Sequence, residues 1–123
     1  MANFFTFLEL IKTNHSNYNV PSSMEHVENL CTLADFLNEV REEFGEPIVV
    51  NSAYRTPIVN KLVGGVSNSF HLEGRAADIR PSYSPSVDFY SELERLNRIL
   101  VRYYENEEIK EFIPHQNYTH LAI

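Results

Sequence analysis

Apolar side chains recur at helical spacing along two long segments of the chain. The first segment follows Ser22, which precedes Glu25 by three residues as in a capping box, and it ends at Gly45. Its apolar positions are Val27, Leu30, Leu33, Ala34, Leu37, Val40 and Phe44. The second segment opens at residues 84–85, a Ser-Pro pair, and its apolar positions are Val87, Tyr90, Leu93, Leu96, Ile99, Leu100 and Tyr103. The pattern predicts two long amphipathic helices.

Short runs rich in β-branched residues predict a small sheet between and after these helices. Residues 48–50 predict one strand, and residues 76–80 predict a second. Residues 109–114 and 118–123 predict a hairpin that turns around residues 115–117. This order of elements favours an α+β fold, with helices on one face of a small, mostly antiparallel sheet.

Two short helices complete the predicted order of elements. One is expected at residues 6–12, before a polar loop at residues 14–21. The other follows the first strand directly, because Thr56 suits an N-cap, a proline occupies the first helical position, and residues 64–65 are a Gly-Gly stop. Arg55 is therefore expected at a corner between strand and helix.

Composition narrows the classes of function. With 123 residues, 43% of them hydrophobic, the chain is expected to form a single domain over residues 1–123. Ten scattered Lys and Arg residues and a net charge of −7 argue against nucleic acid as a partner. The single Cys31 has no internal disulfide partner, and its place in an apolar helical pattern predicts a buried small side chain.

The amino-terminal segment is apolar but does not resemble a secretory signal. It has no basic leader and no small-residue cleavage site, so a folded segment is expected there. No apolar run approaches the about 20 residues that span a bilayer. The sequence therefore predicts a protein made in the cytoplasm without a signal peptide or a membrane span.

Three residues have the chemistry of a catalytic zinc site, in which three protein ligands leave one position open. His71 is expected in a loop, Asp78 on the second strand and His120 on the last strand. If the strands of Asp78 and His120 are neighbours, all three side chains can converge. Taken singly, Asp78 is equally explained by pairing with Arg80, and His120 by an ordinary hydrogen bond within the sheet. Spacing alone leaves these alternatives open.

A longer pattern of residues gives the site a family resemblance. Residues 51–57 (NSAYRTP), Asn60 and residues 63–79 (VGGVSNSFHLEGRAADI) resemble the D-Ala-D-Ala metallopeptidase family. This family includes zinc D-alanyl-D-alanine carboxypeptidases, dipeptidases and phage L-alanyl-D-glutamate endolysins. The likeness extends over nearly the whole chain, including residues 118–123 (YTHLAI). It implies the zinc DD-peptidase architecture, which is also hedgehog-like.

The resemblance implies roles for individual residues. His71, Asp78 and His120 match the positions that bind Zn²⁺, and Ser69 precedes the first ligand where the family pattern expects a serine. Arg55 matches the arginine that faces the substrate and stabilises developing negative charge. Such chemistry is physically coherent, because zinc activates a water and polarises the carbonyl while a guanidinium compensates the oxyanion. Arg55 and Ser69 are thus predicted to contact the substrate.

The sequence departs from the family pattern at the general base. The family's base is an Asp or Glu three residues before the last zinc-binding histidine, and that position is Asn117 here. An amide cannot take up a proton, so Asn117 is assigned to substrate binding instead. His115 is the first candidate for the base, because residues 115, 118 and 120 of a hairpin can share one face. Glu73 and Glu111 are weaker candidates.

Two functions follow from this pattern. The first is a zinc-dependent peptidase, carboxypeptidase or endopeptidase, that hydrolyses D-Ala-D-Ala or L-Ala-D-Glu bonds of the peptidoglycan stem peptide. Its resemblance to short phage and prophage proteins implies that it reaches the bacterial cell wall after lysis or phage release. The alternative is a catalytically degenerate zinc-binding protein that binds peptidoglycan or belongs to a phage or secreted assembly. Asn117 favours the alternative.

Overall fold

The computed structural model of this chain describes residues 4–13, 19–21, 23–84 and 88–123. Their elements are α1 (Phe7–Leu10), α2 (Met24–Phe44), β1 (Ile48–Ser52), α3 (Pro57–Leu62), a 3₁₀ turn (Phe70–Glu73), β2 (Ala76–Pro81), α4 (Phe89–Glu105), β3 (Glu111–Pro114) and β4 (Thr119–Ala122). The predicted α+β class is therefore confirmed. Among the residues described, no helix combines the length and the apolar character needed to cross a bilayer.

The four strands form one antiparallel sheet in the order β1-β2-β4-β3. The predicted hairpin is the β3-β4 pair, and it is closed by a hydrogen bond from the His115 amide to the Tyr118 carbonyl at 2.8 Å. In the β2-β4 pair, Asp78 lies directly opposite His120. The expectation that these two residues lie on neighbouring strands is thus confirmed.

The two faces of the sheet have different tasks, because successive side chains of a strand point to opposite sides. Ala77, Ile79 and Leu121 belong to the hydrophobic core, whereas Asp78 and His120 point to the other face. Two long helices supply most of the remaining core side chains, which are Leu30, Leu33, Phe36, Leu37, Val40 and Phe44 of α2 and Leu96, Ile99 and Leu100 of α4. Helix packing on one face leaves the other face available for polar groups.

Helix α2 matches its prediction in length but begins slightly later. Its first residue is Met24, and its N-cap is Ser23, whose side chain makes no capping hydrogen bond. The predicted cap Ser22 lies outside the described residues. Gly45 ends the helix, as predicted, in the left-handed conformation that glycine adopts without strain.

Helix α4 begins later than predicted. Its N-cap is Asp88, whose carboxylate accepts the amide of Tyr90 at 3.1 Å, so the expected start at residues 84–85 is wrong. The carboxylate satisfies an amide that the first helical turn leaves unpaired, and this fixes the start of the helix. Pro85 and Val87 lie outside the described residues. Tyr90 is exposed rather than part of the core.

The prediction that Cys31 is buried is wrong, since its side chain is exposed. The neighbouring Leu30 and Leu33 are fully buried and define the core side of α2. Each helical residue turns by about 100°, so Cys31 lies beyond the edge of this apolar stripe.

The short helices meet at the corner that carries Arg55. In α3, the Thr56 hydroxyl accepts the amide of Val59, so the predicted N-cap is confirmed. The buried Asn19 donates to the carbonyls of Ile11 and Tyr54 and accepts the amide of Thr56. One amide side chain thereby fixes the segment after α1 to the residues on both sides of Arg55.

The glycine that follows the 3₁₀ turn offers a test of this packing. Gly74 has a φ of 74°, and a Cβ there would lie 2.8 Å from the His26 carbonyl oxygen and 3.0 Å from Leu30 Cγ. Gly74→Ala should cost about 1–2 kcal/mol for the left-handed backbone and about 1–3 kcal/mol more for the crowding. Gly45→Ala is the matched control, because its φ is 79° and no atom lies near its Cβ. Urea unfolding should show the larger loss for Gly74→Ala, and equal losses would contradict the packing described.

Candidate metal centre

The 3₁₀ turn holds His71 beside the sheet. The hydroxyl of Ser69 accepts the His71 amide at 3.1 Å, and the left-handed Gly74 ends the turn. His71 is buried, with 3% of its surface exposed. Ser69 therefore has a structural task as the N-cap of this turn, in addition to its predicted place among the residues that line the site.

The orientation of the His71 ring is fixed by the backbone of the segment after β1. The Nδ1 atom lies 2.6 Å from the Ala53 carbonyl oxygen. A carbonyl oxygen only accepts, so Nδ1 carries the proton and donates it to Ala53. The other ring atom, Nε2, faces Asp78 at 3.3 Å from Oδ1 and presents its lone pair to the site when the ring is neutral.

The ring of His120 approaches the same carboxylate from the neighbouring strand. Its Nδ1 lies 2.9 Å from Oδ1 of Asp78, and its Nε2 lies 2.7 Å from Oε1 of Glu111. The centroids of the His71 and His120 rings are 5.2 Å apart. Two imidazoles and a carboxylate therefore meet at Asp78 Oδ1.

Electrostatics in the metal-free site favour the charged forms of these groups. Burial by itself raises the pKa of Asp78, but hydrogen bonds from His120 and His71 outweigh it and hold that pKa well below its usual range. Burial likewise lowers the pKa of His120, but hydrogen bonds to Asp78 and Glu111 outweigh it and raise that pKa above its ordinary value. The site is therefore built around a stable carboxylate anion.

The donor set fits a zinc ion. One ligand atom from each of His71, Asp78 and His120 lies within 4.8 Å of the others. The separations of 3.3 and 2.9 Å between the ring nitrogens and Asp78 Oδ1 are close to the about 3.3 Å expected between ligands of a tetrahedral ion with bonds of ~2.0–2.1 Å. Two imidazoles and one carboxylate also match the ligands of catalytic zinc sites.

Arg55 is held next to this donor set by three side-chain acceptors. Its Nε donates to Ser52 Oγ at 3.0 Å, one terminal nitrogen donates to Asn60 Oδ1 at 3.4 Å, and the other donates to Asp78 Oδ2 at 3.3 Å. A Cβ at Gly65 would lie 2.0 Å from Asn60 Oδ1, so that position has no room for a side chain. The arginine is therefore fixed in direction, and its contact with Oδ2 leaves Oδ1 for a metal.

An irregularity in β1 supplies one of these acceptors. The pairing shifts between Val50 and Ser52, so that Ser52 rather than Asn51 lies opposite Asp78. Such bulges redirect a side chain, and here the bulge brings the Ser52 hydroxyl to Arg55.

An open cavity of about 490 Å³ lies over the site. Its lining residues are Arg55, Gly64, Gly65, Val66, Asn68, Ser69, Phe70, His71, Asp78, Glu111, Ile113, His115, Tyr118 and His120. The ring of His115 stacks on that of Tyr118, with centroids 4.5 Å apart. A peptide in this cavity would contact the donor set, Arg55 and His115 together.

Two residues singled out in the sequence are absent from the described lining of this cavity. Asn117 accepts a hydrogen bond from the hydroxyl of Tyr90 at 3.2 Å. The carboxylate of Glu73 lies 3.8 Å from Arg75, outside the described lining. Their predicted contacts with substrate or proton thus have no counterpart in this arrangement.

Several contributions to the site were not predicted from the sequence. Ser52 required the bulge in β1, and the Ala53 carbonyl has no side-chain signal at all. Asn60 belongs to the quoted pattern, but its bond to Arg55 was not assigned. Alternation along β3 places Glu111 and Ile113 on one face, which is a signal for Glu111 near the site once the strand pairing is known.

Comparison with known proteins gives two matches. A family model described as Peptidase M15 matches residues 3–122 of the chain. The chain is also 37% identical over 78 residues to a protein of Streptomyces albus G named zinc D-Ala-D-Ala carboxypeptidase. That alignment covers 61% of this chain and 30% of the relative, so the chain spans only about a third of that relative's length.

The depressed pKa of Asp78 predicts how the metal-free protein responds to acid. An unfolded Asp titrates near about pH 3.9, so this carboxylate contributes stability above that pH and loses it as the pH falls through the lower folded pKa. Between about pH 5 and 2, the free energy of unfolding should therefore fall more steeply in the wild type than in Asp78→Asn. The exposed Asp35→Asn is the matched control and should keep the wild-type slope. Chelator-treated samples unfolded in urea at several pH values measure it; equal slopes for all three proteins would contradict the prediction.

Proposed function

The chain belongs to the peptidase M15 family, as its resemblance to the D-Ala-D-Ala metallopeptidases predicted, and from this premise we propose that it is a zinc-dependent peptidase. Its proposed substrate is a peptide bond of the peptidoglycan stem peptide, within one zinc peptidase-like domain formed by residues 1–123. The observation that carries the proposal is the meeting of His71, Asp78 and His120 beside Arg55 in one open cavity.

The proposed metal ligands are Nε2 of His71, Oδ1 of Asp78 and Nδ1 of His120. A bound zinc ion lowers the pKa of its water toward about 7 and polarises a carbonyl. The chain's own contribution is to fix these three atoms before the ion binds. Burial of His71 and Asp78 also keeps bulk water from competing for them.

Arg55 is proposed to stabilise negative charge on the substrate. Among the described residues that line the cavity, it is the sole Arg or Lys. Its hydrogen bonds to Ser52, Asn60 and Asp78 hold the guanidinium in place, so little reorganisation is needed when charge develops. The same cation suits a terminal carboxylate or the oxyanion of an internal peptide bond.

The proposed general base is His115. It lines the cavity, and its stacking on Tyr118 limits the directions in which the ring can point. An imidazole with an ordinary pKa near about 6.5 can accept and return a proton near neutral pH. Asn117, at the position where the family has an acid, cannot do so.

The substrate class follows from the family and its named relative. The relative's name specifies a D-Ala-D-Ala carboxypeptidase, which favours a bond next to a D-amino acid. We extend the proposal to two bonds, D-Ala-D-Ala and L-Ala-D-Glu, because the cavity is open and suits either a carboxypeptidase or an endopeptidase. A phage or prophage origin, with action on the cell wall after lysis or phage release, is the proposed setting.

A second candidate function is favoured by the state of Asn117. Its amide replaces the family's acid and is bonded to Tyr90 rather than directed into the cavity. A protein with the metal centre but without a competent base would bind stem peptides, or serve in a phage or secreted assembly, without hydrolysis. Asn117→Asp distinguishes the two, because a gain of hydrolysis from an inactive wild type would support the degenerate function.

Metal content and turnover test the main proposal. Purified protein should contain about one zinc per chain, and His120→Ala should lose it because one of three ligands is gone. Wild type should cleave purified stem peptides that end in D-Ala-D-Ala or contain L-Ala-D-Glu, and chelation should abolish this. Elemental analysis and mass spectrometry of the digests measure both. Zinc without cleavage of either peptide would support the binding function, and absence of zinc would refute both functions.

The role of His115 is separable from metal binding. His115→Ala should lower kcat by about 10²–10⁴-fold, the usual contribution of a general base, and leave the zinc content unchanged. His26→Gln is the matched control, since this histidine contacts Tyr54 and lies outside the described cavity lining. Steady-state kinetics on a stem peptide measure the change. Turnover of His115→Ala at the wild-type rate would rule out His115 as the base.

A further inference from the structure

The carboxylate of Glu111 contacts the second nitrogen of a proposed metal ligand. Its Oε1 lies 2.7 Å from His120 Nε2, while Nδ1 of the same ring faces Asp78 Oδ1 at 2.9 Å. A carboxylate anion only accepts, so Nε2 carries a proton and donates it to Glu111. When the ring is neutral, this leaves the lone pair on Nδ1, at the site of the ion.

The contact is a consequence of strand pairing. Glu111 lies opposite Ala122, and Ile113 lies opposite His120, in the antiparallel β3-β4 pair. Directly opposed residues share a face, so Glu111, Ile113 and His120 all point away from the core. Glu111 is therefore a diagonal neighbour of His120, close enough for a long side chain to reach it.

We propose that Glu111 is a positioning residue of the metal centre, which holds His120 in the tautomer and ring orientation that present Nδ1 to zinc. This inference rests on the proposed zinc-binding function. Metal-binding histidines generally donate their other N–H to a carboxylate or a carbonyl, and this partner raises the basicity of the ligand. The Ala53 carbonyl serves His71 in the same way, so both rings are fixed from behind.

The geometry separates this role from that of a general base. The oxygen of Glu111 that contacts His120 does so on the side of the ring away from Nδ1 and from Asp78. A proton taken up there would weaken the hydrogen bond that orients the ring. Glu111 therefore acts on the metal through His120 and not on the substrate.

Two variants of Glu111 separate the hydrogen bond from the charge. Glu111→Ala removes both, and the zinc dissociation constant should rise about 10–100-fold, the usual effect of losing such a partner. Glu111→Gln has nearly the same shape and keeps an oxygen that accepts from Nε2, so the rise should stay below about tenfold. The control is Glu108→Ala, an exposed carboxylate three residues earlier, which should bind zinc like the wild type.

Competition against a chromophoric chelator measures these constants, and nitrogen NMR of the zinc-loaded protein reports the His120 tautomer. The expected order of affinity is wild type, Glu111→Gln, Glu111→Ala, with a protonated Nε2 detected in the wild type. Wild-type affinity in both variants would overturn the proposal while leaving the zinc peptidase intact. Unchanged affinity but abolished hydrolysis in Glu111→Gln would make Glu111 the base instead. Should Glu111→Ala fail to fold, the isosteric Glu111→Gln and the NMR measurement decide the question.

Discussion

The carboxylate of Asp78 is the interaction on which the rest of the site depends. One oxygen receives both His71 and His120, and the other receives Arg55. Asp78 is 8% exposed, and a buried charge is costly unless hydrogen bonds and opposite charges compensate it. Loss of a partner therefore leaves a buried anion poorly compensated, which couples the positions of all three partners to one another.

The sheet separates the stability of the fold from its chemistry. Ala77, Ile79 and Leu121 of the inner strands join the helices in the core, while the alternate positions carry Asp78 and His120. Because the two sets lie on opposite faces of the same strands, the packed core holds the ligands rigidly without supplying them. The 3₁₀ turn then adds the third ligand from outside the sheet, which lets a loop complete a site built on a rigid support.

Metal binding and proton transfer use different parts of this arrangement. The donor atoms come from β2, β4 and the 3₁₀ turn, whereas the proposed base His115 lies in the β3-β4 turn. A substitution at Asn117 can therefore change proton transfer without disturbing the ligands. This independence explains how one family scaffold is compatible with both a hydrolytic and a binding function.

Local patterns determined much of this protein from the sequence alone. The period of α2, the Thr56 cap, the β3-β4 hairpin and the spacing of the ligand residues were all visible, because capping and periodicity depend on residues within about four positions of one another. Tertiary structure alone decided the bulge at Ser52, the place of Glu111 behind His120 and the exposure of Cys31. These depend on register and on the direction of a helix face, which are set by packing between segments far apart in the chain.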